Sequence, residues 1–323
     1  MSSGPFTEQV TKIHSTSQRK PGLGLALALT SSLLFGLNAT TSKILVESGI
    51  SPELMVIFRS AATAALAGAW LLVTNRSAFR VNLREWPSLI AFGIVGVGLM
   101  QWAYTQAVSR LPIGIALLIE YTAIVMVPLA SWFLFKTRVG KGLWLGVALV
   151  LGGLAVVGKL GTSNLDPAGV LFAFLAAIFL TVYFIMGERG QRNRDAFSTL
   201  FYSMAIATVF WILVKHPSMS ALPDLGSNIT LPFLADSQTV PLWALVIWLG
   251  VAGSFLPMLF SYLALRHLTA SAVGVASTSE TVFAFLFAFV LLGEKFDGLQ
   301  TVGGLLVIAG IVTAQISRSP KQE

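Results

Sequence analysis

Cysteine is absent, histidine occurs three times, and charged side chains make up only 11% of the 323 residues. Without cysteine there is no disulfide framework, no thiolate metal site and no cysteine nucleophile. The histidines, His14, His216 and His267, fall in expected loops or helix ends, and HExxH, GxSxG and a Gly-rich phosphate loop are all missing. No metal, no cofactor and no enzymatic activity are therefore expected. A soluble nucleotide-binding domain is missing too, which argues against ATP-driven pumping by this chain alone.

What fills the sequence is apolar: 55% of the residues, with 29 glycines and a mean hydropathy of +0.79. Apolar runs of about 20 residues recur along almost the whole chain, and a helix of that length, rising ~1.5 Å per residue, crosses a hydrocarbon core of about 30 Å. A soluble domain would back its apolar faces with polar ones, whereas these runs are apolar nearly all round. The sequence reads as an all-α integral membrane protein. Ten transmembrane helices are expected, over 22–46, 53–74, 86–108, 113–135, 142–158, 167–187, 196–214, 241–264, 270–292 and 298–317. Most breaks are short; the stretch from Lys215 to Val240 is expected to be a long loop. Residues 1–21 read as a cytoplasmic tail, because the apolar stretch behind them is too long for a signal core.

The net charge of +7 raises nucleic acid as a partner, but its placement follows the membrane instead. With the N-terminus cytoplasmic, fifteen Lys and Arg residues fall in inner segments, among them Arg76, Arg80, Arg84 and Arg194. Only Arg110, Lys159, Lys215 and Lys295 fall in outer ones. This bias predicts that both termini are cytoplasmic, and a bacterial inner membrane is the expected location. Trp70, Trp86, Trp144 and Trp243 stand near span ends, where an interfacial belt would put them. The expected partners are a small-molecule substrate, the lipid bilayer and, as a candidate co-substrate, protons. Nucleic acid is not expected, and no oligomeric state is assigned.

The two halves resemble each other. AVSRLPIG at Ala107–Gly114 lies over ALRHLTAS at Ala264–Ser271, and WLGVALVLGG at Trp144–Gly153 lies over TVGGLLVIAG at Thr301–Gly310. Both matches use one offset, 264 − 107 = 301 − 144 = 157. A weaker match at another offset sets the first span against the sixth. The units are residues 22–160 and 161–317, with 318–323 as a second cytoplasmic tail. Each holds five spans, an odd number, so the second must enter the membrane from the opposite side. Two inverted five-helix repeats are expected, an architecture that many secondary transporters use.

The run ALRHLTASAVGVASTSETVFAFLFAFVLLGEKFDGLQTVGGLLVIAGIV, with ISPELMVIFRS at the start of the second span, resembles the EamA family of the drug/metabolite transporter superfamily. The resemblance covers about residues 22–317. It implies ten helices in two inverted repeats, cytoplasmic termini and movement of small metabolites, commonly outward. Members of that family often carry Pro directly after the acid of the ninth span. Here Thr281 stands there, and Ile124 in the aligned place of the fourth span, so no Pro-driven unwinding is carried over to this point. Pro128 and Pro257 are candidate kinks elsewhere.

The acids Glu120, in LLIEYTAIVMVP, and Glu280, in STSETVFAFLFAF, stand inside apolar runs, ~10 and ~15 Å into hydrocarbon. An ionised carboxylate at the bilayer centre costs about 2.5–3.5 kcal/mol on insertion scales, so neither is expected to face lipid. At the offset of 157, Glu120 aligns with Ser277 and Glu280 with Ala123, one turn apart on similar faces. Both acids are expected to face a cavity between the repeats; a structural ion pair is the second reading of each.

Arg59 either pairs with Glu120 or binds a substrate carboxylate, and Lys43 is expected to snorkel to the outer surface. Ser31, Asn38, Thr41 and Ser42 lie near one face of the first span, as a hydrated stripe or as interhelical hydrogen bonds. Gln101, Trp102 and Tyr104 of the third span, with Tyr121, form a candidate aromatic and amide lining, lipid contact being the other reading of Trp102. The candidate substrate-binding or coupling set is thus Glu120, Glu280, Tyr121, Asn38, Arg59, Gln101, Trp102 and Tyr104. The expected activity is export of small metabolites, amino acids foremost, by alternating access with proton exchange at Glu120 or Glu280. A passive facilitator or exchanger is the alternative; a receptor, scaffold or membrane-embedded enzyme is less favoured.

Overall fold

Each of the best-defined helix starts is written locally in the sequence. Helix α1 (Pro21–Glu47) opens on proline. Helix α2 (Pro52–Thr74) also opens on proline, behind Ser51, whose side chain accepts from the Leu54 amide at 3.4 Å. Helix α7 (Pro167–Asn193) opens behind Asp166, which accepts from the Ala168 amide at 3.1 Å. Proline at the first turn lacks an N–H that the helix could not have paired, and the cap oxygen takes another.

The computed structural model describes residues 20–135, 141–157, 165–215, 224–230, 239–265, 267–268, 273, 276–295 and 297–316. Several residues used above for topology, including Lys12, His14, Lys136, Lys159, His216 and Arg266, lie outside them. In chain order the remaining helices are α3 (Trp86–Val108), α4 (Ile113–Glu120), α5 (Ala123–Phe135), α6 (Lys141–Val157) and α8 (Ala196–Lys215). Helix α9 is built from Leu242–Gly250, Val251–Phe255 and Leu256–Leu265; α10 (Ser279–Leu292) and α11 (Gly298–Ile316) complete the chain. Six helices are long and apolar enough to cross a membrane, and four shorter apolar stretches, Ile113–Val127, Lys141–Val157, Ser279–Leu292 and Gly298–Ala314, accompany them. The protein is an all-α membrane protein. The expected long loop also holds structure: Asn228–Thr230 (β1) and Thr239–Pro241 (β2) pair antiparallel, with Ile229 opposite Val240.

Burial is inverted relative to a soluble protein. Leu151, Leu213, Phe289 and Leu305 are more than half exposed, while Asn38, Arg59, Gln101 and Glu120 are each at most 7% exposed. Where lipid is the solvent, apolar surface gains little by leaving it, so helices associate through close packing and polar contacts. The seam between α6 and α11 illustrates this. A Cβ on Gly146 would come 2.8 Å from the Gly310 carbonyl oxygen, and one on Gly153 would come 2.6 Å from that of Gly303. Only hydrogen at these positions lets the backbones approach so closely. The helices run antiparallel, and Gly146 and Gly303, like Gly153 and Gly310, are 157 positions apart, so equivalent residues exchange partners as they would about a two-fold axis.

The same exchange holds for the helix neighbours. Helix α2 packs on α8; α1 packs on α10 as α7 packs on α4; and α1 packs on α9 as α7 packs on α3. Two local irregularities follow the offset as well. The chain widens to a π-helical pitch at Phe92–Leu99 within α3 and at Val251–Phe255 within α9. The expected fourth span is not one helix: it breaks at Tyr121 and Thr122, and its counterpart breaks at Thr278. Tyr121 and Thr278 are 157 positions apart.

Candidate functional site

The break after α4 and the start of α10 bring the two acids together. At the first, hydrogen bonds shorten from the four-residue to the three-residue pattern: Thr122 N donates to Ile119 O at 3.1 Å, Ile124 N to Tyr121 O at 3.0 Å and Val125 N to Thr122 O at 2.9 Å. At the second, Thr281 N donates to Thr278 O at 3.2 Å. These interruptions arise without proline, so the substitution of Thr281 and Ile124 at the expected proline positions does not leave the helices continuous. The Thr122 hydroxyl, which donates to Ile119 O at 2.7 Å, competes with regular helix pairing at this point.

Glu120 ends α4 and is buried. Glu280 stands in the first turn of α10, partly buried, and accepts a hydrogen bond from the Tyr121 hydroxyl at 2.5 Å. Tyr104 and Arg59 are buried nearby, and Arg59 lies within electrostatic reach of Tyr104, Glu120 and Glu280. The direct Arg59–Glu120 ion pair expected from the sequence is not formed. Arg59 instead donates from Nε to Ser254 Oγ at 3.1 Å, and Ser254 in turn donates to Leu249 O at 3.0 Å in the π-helical stretch of α9. Among the described residues neither the terminal amino groups of Arg59 nor the Glu120 carboxylate has a hydrogen-bond partner.

Asn38 packs on Gly253, the neighbour of Ser254, and its Oδ1 is buried without a partner. Gln101 is buried with Nε2 on Met204 Sδ at 3.7 Å and Oε1 unpartnered. Asn38, Arg59, Tyr104, Glu120, Tyr121 and Glu280 thus converge, with Ser254 as a member that the sequence reading missed; its only signal was its place just before Pro257. Trp102 is different. It contacts protein rather than serving as an acid-site ligand, donating to Glu53 Oε1 at 2.8 Å and standing against Phe172 and Trp211.

Of the polar stripe, Ser31 makes interhelical bonds, donating to Pro257 O at 2.7 Å and pairing with Ser261 at 2.8 Å, and Thr41 turns back to Leu37 O. Ser42 Oγ is buried and unpartnered. Lys43 does not stand free at the surface: its Nζ meets Glu294 Oε1 at 2.5 Å. Among the described residues no group of three or more His, Asp or Glu could hold a metal.

A model of the EamA-like transporter family matches residues 22–159 and 167–314. The chain belongs to that family. An uncharacterized transporter of Archaeoglobus fulgidus is 26% identical over 294 residues, covering 89% of this chain and 95% of that protein. The threonine/homoserine exporter RhtA of Salmonella typhimurium is 25% identical over 237 residues, covering 72% of this chain and 73% of its own. A crystal structure at 21% identity covers 91% of this chain and 96% of the other with a TM-score of 0.61, which shows a shared fold. For an EamA-like transporter, the buried charges at two helix breaks are the natural place to look for substrate.

Proposed function

We propose that this EamA-like protein is a secondary transporter that moves small zwitterionic metabolites, amino acids foremost, outward by alternating access between two inverted five-helix repeats. The observation that carries this reading is a buried arginine beside a buried acid with no direct ion pair between them: Arg59 is bonded through Nε to Ser254, and its terminal amino groups and the Glu120 carboxylate make no hydrogen bond to one another. Charged groups inside an apolar bundle need complements, and an α-amino acid supplies one for each: its carboxylate for the terminal amino groups of Arg59, its ammonium for Glu120. Glu280, held by Tyr121 from the other half, is the second coupling group, and Tyr104 and Asn38 stand beside them.

Supporting the repeat are the helix breaks, the π-helical stretches and the glycine seam, all related by one offset, and the family match in each half. Five spans per unit make the units inverted in this reading; the even total then puts both termini on one side, and the Lys and Arg bias favours the cytoplasmic one. The Salmonella relative that exports threonine and homoserine supports both the direction and the substrate class. In the proposed cycle a substrate enters from the cytoplasm, displaces a proton from Glu120 or Glu280, and the bundle rocks open outward.

The test is transport of labelled L-threonine by reconstituted protein, with and without an imposed pH gradient. Saturable, gradient-driven transport that falls at least tenfold in Glu120→Gln or Glu280→Gln is expected. Wild-type rates in both variants over a wide pH range would remove the coupling role, and indifference to the gradient would make the protein a facilitator.

A further inference from the structure

At one end of the bundle, three segments far apart in sequence meet on a single ion pair. Lys43, near the end of α1, reaches Glu294 Oε1 at 2.5 Å and the Leu111 carbonyl at 3.3 Å. Glu294 also accepts from the Ile113 amide at 3.1 Å, at the first residue of α4. The turn that presents it depends on Gly293, which adopts φ +67 at the end of α10, a conformation in which a side chain would be strained. A carboxylate over a helix N-terminus meets unpaired amides and the positive end of the helix dipole. One side chain therefore binds both the Lys43 ammonium and the start of α4.

We propose that Lys43 and Glu294 are positioning residues that latch this end of the transport path shut, and that the latch must open for substrate to leave. The proposal rests on the alternating-access reading above, in which this is the outer end. Its location favours that role: α4 runs from the latch to Glu120, and α10 runs from Glu280 to the latch, so the pair ties the far ends of the two helices that carry the acids. Its exposure also suits a reversible contact. The two side chains are 15% and 12% exposed, dry enough for the attraction to hold and wet enough for water to replace each partner as they part.

Among the described residues two further ion pairs lie at this end: Arg110 with Asp166 at 3.7 Å, which joins the turn before α4 to the start of α7, and Lys215 with Glu53 at 3.3 Å, which joins α8 to the start of α2. Helices α2 and α8 are also tied at their opposite end, where Arg194 and Ser198 donate to Ala78 O and Tyr202 donates to Phe79 O. They are therefore joined at both ends.

The absence of cysteine lets spin labels be placed without removing anything. Glu47→Cys and Lys295→Cys put labels at two exposed positions flanking the latch. With Lys43 and Glu294 intact, or with the conservative Lys43→Arg, one short distance should dominate. Glu294→Gln or Lys43→Met should add a longer population, and should slow L-threonine transport at least fivefold while Lys43→Arg does not. Identical distance distributions in all four proteins would overturn the latch. If no amino acid is transported by the wild-type protein, the proposed function falls, yet the distances still decide whether this pair holds the end closed.

Discussion

Tyr121 donates its hydroxyl hydrogen to Glu280 Oε2, from the break that ends α4 to the first turn of α10, 159 positions away. It directly links the two helix breaks, and it reaches a carboxylate that would otherwise have to be solvated inside an apolar bundle. Hydrogen bonds to charged groups contribute about 1.5–3 kcal/mol. Tyr121→Phe keeps the ring and removes the bond, so a fall in thermal stability of the detergent-solubilised protein and a lower transport rate are expected. Unchanged melting and transport would mean that Glu280 is held by something else.

Arg59→Lys keeps the charge but loses the planar fork that matches a carboxylate. A tenfold or larger rise in KM for L-threonine is expected, with little change for the amine lacking its carboxyl group. Equal losses for both compounds would assign Arg59 to structure, through Ser254, rather than to substrate.

Neighbouring glycines in α6 should respond oppositely to the same substitution. A methyl on Gly153 would meet the Gly303 carbonyl at 2.6 Å and Val307 at 2.7 Å, whereas nothing lies within 4 Å of one on Gly152. Overpacking costs about 1–3 kcal/mol, so Gly153→Ala should lower the melting temperature. Gly152→Ala should leave it unchanged or raise it, because alanine favours a helix by about 0.8–1 kcal/mol over glycine. Equal effects would mean that the α6–α11 seam is not closely packed.

The inverted arrangement makes a topological prediction. Reporters fused to the two ends of the chain should both be active only on the cytoplasmic side, and a cysteine at Lys295 should react with a membrane-impermeant reagent added outside. Reporter activity on opposite sides would require an odd number of crossings and would rule out two equal five-helix units.

The family and the succession of apolar spans were legible because both depend on local composition: about 20 apolar residues in a row have one outcome in a bilayer. The expected span starts at 22, 53 and 167 fall within one residue of the observed helix starts at Pro21, Pro52 and Pro167 for the same reason. The break at Tyr121 was not, since neither glycine nor proline marks it, and the short strands within the long loop were missed because three-residue strands carry almost no pattern. Trp102 was grouped with the acids because it shares a span with Gln101 and Tyr104, but its indole points to Glu53.

The sequence by itself determined that this chain lives in lipid, that its halves share a register of 157 positions, and that two acids and an arginine would have to be sheltered. Only the tertiary structure decided which partners shelter them. Tyr121 rather than Arg59 meets an acid directly, Ser254 takes the guanidinium, and Lys43 pairs with Glu294. The reason is geometric: helix periodicity gives the face from which a side chain leaves, but a charged pair forms only when two helices, here separated by up to 251 positions, bring their ends within hydrogen-bond distance.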